Sequence, residues 1–190
     1  SYADLLPNKM YEAQRDTIRQ SIMEHKKTRR VQVGKNMMLH FEDYMVMKYQ
    51  IQELMRAEKL NEEEEILEEL AVYNPLIPDG KNLKVTMMLE YPNAEERHDR
   101  LQQLVGVEEL ISIEIDGHEK VYPIANEDLP RSTDEKTSSV HFLRFEFNDD
   151  VGGTAKKGSA GAIHGGELAW THTRGQLKQE VTRCIRRDMW

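Results

Sequence analysis

At 190 residues the chain is long enough to bury a core of its own, which predicts one domain over 1–190. Its 34 acidic residues outnumber 26 basic ones, leaving a net charge of −8 and a pI near 5.4. Nucleic acid is therefore not an expected partner, because phosphate neutralisation dominates such binding. The one cysteine, Cys184, excludes an intramolecular disulfide and any thiolate cluster within one chain. No apolar run reaches the roughly 20 residues of a membrane helix, and the opening SYADLLPNKM lacks the pattern of a signal peptide. A cytoplasmic protein with no membrane contact is expected, and the 10 methionines read as adaptable core filling.

In chain order, PNKMYEAQRDTIRQSIMEHKK predicts a helix, with Tyr11, Ile18 and Ile22 at helical spacing. TRRVQVGKNMMLHFED alternates apolar and polar residues about a turn at VGKN, which predicts a hairpin. A second helix follows in YMVMKYQIQELMRAEKL. A third follows in NEEEEILEEL, with Asn61 as its N-cap and glutamates on its dipole. YNPLIPDGKN is irregular because of its prolines and glycine. LKVTMMLEY reads as a strand, and NAEERHDRLQQLV as a helix stopped by Gly106. LISIEIDGHEKVYPIA predicts a hairpin closed by Asp116-Gly117. A polar loop then leads into the strand TSSVHFLRFEF. Residues 148–173 are glycine-rich and weakly patterned, and RGQLKQEVTRCIRRDM predicts a closing helix. Local hairpins without strict strand–helix alternation indicate an α+β fold, with a mainly antiparallel sheet of about five to seven strands and packing helices.

The strand TSSVHFLRFEF holds the first candidate chemistry. Alternation puts Ser139, His141, Leu143, Phe145 and Phe147 on one face, the natural core side, and Val140, Phe142, Arg144 and Glu146 on the other. His141 is thus either a hydrogen-bonded core histidine or a proton carrier or ligand. Arg144 is either an ion-pair partner or an anion anchor. In YQIQELMRAE, helical spacing brings together Tyr49, Glu53 and Arg56 with Gln50 and Gln52 beside them, either as a solvated face or as part of a polar pocket. Lys26, Lys27, Arg29 and Arg30 stand at the end of the first helix, where cations favour the dipole or clamp an anion. His40 and Glu42 share a strand face, and Glu90 and Glu114 are possible sheet neighbours. No histidine pair has helical ligand spacing, so no metal site is assigned. The glycine pieces match neither a P-loop nor a dinucleotide fingerprint, and no cofactor is assigned.

RRVQVG, YQIQELMRAE, YNPLIPDGKNLKVTMMLEYP, GHEKVYPIANEDLPRS and DEKTSSVHFLRFEF occur in this order over roughly residues 4–147. Together they resemble the bacterial domain-of-unknown-function family thirty-five-oh-one. The resemblance implies no reaction, substrate or catalytic residue. It does imply a setting beside rubrerythrin-like and iron–sulfur oxidoreductase proteins, which makes such a protein the expected partner. The first functional expectation is therefore an accessory, partner-binding protein of a bacterial redox or oxidative-stress system. The alternative is a small-molecule binder or enzyme whose polar pocket joins His141, Arg144, Glu53 and Arg56; a His/Glu metal protein is the third. Whether the chain is an enzyme, and its oligomeric state, are left open by the residues alone.

Overall fold

Apolar and polar side chains alternate in RVQV, MMLHF, NLKVTMML and VHFLRFE, and each of these runs forms a half-buried strand. The computed structural model describes residues 1–115, 117–157, 161–165 and 174–176, with backbone alone at 155–157 and 174–176. Its strands are β1 (Arg30–Val33), β2 (Met37–Phe41), β3 (Asn82–Leu89), β4 (Ser112–Ile115), β5 (Ile124–Ala125), β6 (Val140–Glu146), β7 (Gly161–His164) and β8 (Arg174–Gln176). Five of them make one sheet in the order β1-β2-β3-β6-β5, and three make a second in the order β4-β7-β8. Every pairing is antiparallel. The helices are α1 (Asn8–Lys27), α2 (Tyr44–Glu58), α3 (Glu63–Tyr73), α4 (Ala94–Gln103) and α5 (Asp149–Lys157). Among the described residues no helix is long and apolar enough to cross a membrane.

One face of the large sheet is the core. Leu39, Phe41, Leu83, Val85, Met87, Leu89, Leu143 and Phe145 pack there with Leu101 and Leu104 from the α4 segment and Ile113 and Ile163 from the second sheet. A fully buried side chain of this size contributes about 1.5–3 kcal/mol. A one-residue slip would turn every one of them outward, so the apolar pattern fixes the register. A separate apolar cluster joins α2 and α3 through Ile51, Met55, Ile66 and Leu70.

The predicted hairpin at VGKN is present, with Val33 opposite Met37 and Gly34 at φ 66, a left-handed conformation that costs glycine little. Four local expectations are corrected. The α3 N-cap is Glu62, while the Asn61 amide turns back to the Lys59 carbonyl at 2.8 Å. The hairpin expected over 110–125 is reduced to a bridge between Ile113 and Val121; the chain then leaves the second sheet and β5 joins the first. The weakly patterned 148–173 segment contains α5 and β7. Arg174–Gln176, expected to open the closing helix, is strand β8; the rest of that expected helix, with Cys184, lies outside the described residues.

Candidate functional site

His141 lies on the core face of β6 with no exposed surface. Its Nδ1 is 3.0 Å from Asn126 Nδ2, and because an amide nitrogen can only donate, Nδ1 is the acceptor. The Asn126 orientation is fixed independently, since its Oδ1 accepts from Phe142 N at 3.3 Å. Nε2 therefore carries the proton and donates to the Ser138 carbonyl at 3.0 Å, with Thr137 Oγ1 also at 3.0 Å. Burial lowers the His141 pKa, partly opposed by Glu108, whose Oε1 is 3.7 Å from Nδ1 and accepts from Ser132 Oγ at 2.5 Å. This network fastens the 126–138 loop to β6. His141 lines none of the clefts described below.

The other expected ligand-binding residues fall in separate places. On the opposite face of β6, Arg144 donates through Nε and Nη2 to both oxygens of Glu127 at 2.7 Å, and also pairs with Glu146. Glu53 faces α1: Arg15 grips it through two bonds of 2.8 Å, and the Tyr11 hydroxyl donates at 2.6 Å. These donors hold the Glu53 carboxyl below its ordinary value. Arg56 flanks the pair, 3.9 Å from Glu53 and from Glu12. His141, Arg144, Glu53 and Arg56 thus do not converge on one cavity. Tyr49 places its ring under Lys26 Nζ, 5.7 Å from the centroid.

Arg29 is buried and binds its own chain: Nε donates to the Phe41 carbonyl at 2.8 Å and Nη2 to the Glu42 carbonyl at 3.2 Å, while Nη1 lies 3.3 Å from Asp43 Oδ2. Asp43 also meets His25 Nε2 at 2.6 Å and caps α2, its Oδ1 accepting from Val46 N at 2.8 Å. The β2–α2 connection is therefore rigidly held, and Glu42 sits at its centre. Arg30 is exposed at the neighbouring sheet position, opposite His40.

The connection opens onto a cleft over the outer face of the sheet. Across this face the register sets Arg30, His40, Thr86 and Phe142 in one row. One lobe, of about 350 Å³, lies between that row and Lys26, Val46, Met47 and Gln50 from α1 and α2. A second lobe of about 510 Å³ shares Glu42, Leu76, Thr86 and Phe142 with the first and continues past Lys84, Val72 and Leu129. A third cleft, of about 410 Å³, lies apart at the hairpin end of the sheet, beside Tyr91, Glu96 and Arg100.

Two groups give the outer cleft its chemical character. Glu42 is 8% exposed, and its one side-chain hydrogen bond among the described residues comes from Thr86 Oγ1, at 2.6 Å to Oε1. Burial raises its pKa, against the pull of Thr86, Lys26 and Arg29. His40 Nε2 is buried without a hydrogen-bond partner among the described residues, and burial with the Arg30 and Lys26 charges lowers its pKa. Both shifts disfavour the charged form, so the two groups are set to share hydrogen bonds with a polar ligand. Of the expected residues, Gln50 and Arg29 line the first lobe of this cleft and Arg144 the second. His40 and Glu42 appeared in the sequence only as possible metal ligands; the usable signal was their shared strand face. Among the described residues no cluster of three or more His, Cys, Asp or Glu is placed to hold a metal.

Comparison with known proteins bears on the whole chain. The family described as "Protein of unknown function (DUF3501)" matches residues 1–189. A crystal structure of a novel protein of unknown function from Burkholderia pseudomallei is similar over 100% of this chain and 98% of its own, with 37% identity and a TM-score of 0.93. No curated protein matches.

Proposed function

We propose that this chain, which belongs to the DUF3501 family of proteins of unknown function, binds a small organic molecule in the cleft over the outer face of its large sheet. The observation that carries this reading is the pairing of His40 and Glu42 on one cleft wall. Among the described residues, one presents a buried nitrogen without a partner, and the other a nearly buried carboxyl with no cation within ion-pairing distance. Buried polar groups are normally satisfied, so two under-used groups beside a cavity are the mark expected of a ligand site. Phe41, Met47, Met88, Val140 and Phe142 supply apolar walls, and Lys26 supplies a cation. The matching ligand has an apolar body and hydrogen-bonding groups at one end. A thermal-shift screen of small organic molecules tests this. The wild type is expected to yield saturable binders whose affinity falls at least tenfold in both His40→Ala and Glu42→Gln. Binders unaffected by both changes, or none from the screen, would refute the reading.

The partner reading has one supporting observation of its own. Tyr122, Ile124 and Leu129 are 56%, 45% and 51% exposed around the edge strand β5, and exposed apolar groups beside a sheet edge suit protein docking. Under this reading the occupant is a rubrerythrin-like or iron–sulfur oxidoreductase protein. Failure of Ile124→Asp to weaken its capture would remove it.

A further inference from the structure

The second lobe holds an amine that the binding reading leaves without a role. Lys84 lies on the outer face of β3, opposite Arg144 on β6, and lines the lobe with Glu42, Val72, Leu76, Leu129 and Phe142. It is half-buried. The carboxylates around it are engaged elsewhere. Glu127 holds Arg144 through two bonds of 2.7 Å, Glu146 pairs with the same guanidinium, and Asp79 accepts from Lys81 N at 2.9 Å. No carboxylate among the described residues comes within 4.0 Å of the Lys84 amine. Burial and the Arg144 charge lower its pKa, against Glu127, Asp79 and Glu146.

From this placement we propose that Lys84 is a nucleophilic amine that captures an aldehyde or ketone as a Schiff base. The lobe has apolar walls and a charged rim of Glu42, Glu127, Asp128 and Arg144. A half-buried amine beside a fixed cation, without an ion-pair partner among the described residues, has the setting in which lysines act on carbonyls. The neutral nitrogen adds to the carbonyl carbon as the C=O π bond opens, and a proton passes from nitrogen to the alkoxide oxygen to give a neutral carbinolamine. Glu42, on the wall of the same lobe, protonates the hydroxyl; the C–O bond breaks, water leaves, and the nitrogen lone pair forms the iminium. The step consumes one proton from Glu42 and needs neither oxidant nor reductant. Val72, Leu76, Leu129 and Phe142 select a carbonyl compound with an apolar body.

This inference rests on the cleft being a ligand site, but it is tested separately. The full chain is incubated with benzaldehyde and cyanoborohydride at pH 7.5, and the modified lysines are mapped by mass spectrometry over time. Lys84 is expected to be alkylated at least tenfold faster than the exposed Lys35 and Lys59, with the fast phase lost in Lys84→Arg and slowed in Glu42→Gln. Modification of Lys84 no faster than Lys35, or a fast phase that survives Lys84→Arg, would overturn it. If labelling fails while His40→Ala still abolishes binding of the screened compounds, only the Schiff-base step falls. Fast labelling of Lys84 without saturable binding would instead remove the binding reading.

Discussion

Asn126 Nδ2 and the Ser138 carbonyl between them decide the state of His141: one donates to Nδ1, the other accepts from Nε2. Both ring nitrogens are satisfied in the neutral tautomer, which is why a histidine is tolerated among Leu143 and Phe145. Its replacement by alanine would take the histidine partner from the Asn126 amide nitrogen and the Ser138 carbonyl beside a new cavity, and should cost about 3 kcal/mol in urea unfolding. The pH signature follows from the depressed pKa. The folded state resists protonation, so the unfolded chain binds more protons as pH falls below the ordinary imidazole value of 6.5. Stability contributed by a neutral His141 is present above that value and is lost as pH falls toward the folded pKa. In His141→Asn, the part of the acid-side loss due to this residue should vanish, whereas an unchanged pH profile would contradict the burial argument.

At the scale of elements, the junction between β2 and α2 matters most, because it sets Glu42 in place. Asp43 performs two tasks there, capping α2 and pairing with His25 and Arg29. Asp43→Ala should lower stability by about 2–3 kcal/mol, since it removes the cap and the charge beside a buried guanidinium. Asp43→Asn keeps a capping oxygen and should lose less; equal losses would show that the cap contributes nothing. Much of the element pattern was legible in the residues. Alternation in TSSVHFLRFEF placed His141 on the core side and Arg144 on the other, and VGKN marked its turn. The Asp116-Gly117 hairpin misled because local turn chemistry carries no information about where the returning strand pairs: past Val121 it pairs with Arg144 and Leu143 instead. Helix α5 was hidden for a different reason, because Gly152 and Gly153 within it contradict helix propensity.

At the scale of the molecule, the large sheet has a closed face and an open one. Its inner face belongs to one core, the α2–α3 cluster is separate, and the outer cleft is lined from both the sheet and the helical side. Such a site is assembled from segments far apart in sequence: Lys26, His40, Gln50, Thr86 and Phe142. Strand alternation revealed that His40 and Glu42 share a face, but not that α2 stands over that face with a gap between. The same distance in sequence concealed the partner of Glu53, since Arg15 and Tyr11 come from α1.

The methionines report directly on which face a ligand occupies, because Met47 and Met88 line the first lobe while Met87 is fully buried on the inner face. Met37 lines the separate cleft at the hairpin end. The decisive measurement is the methyl NMR spectrum of protein carrying carbon-13-labelled methionine methyls, titrated with a compound selected by the thermal-shift screen. Saturable shifts at Met47 and Met88, with Met37 and Met87 stationary, are the predicted result. Shifts confined to Met37 or Met87, or a spectrum unchanged at saturating compound, would contradict a ligand site on the outer face.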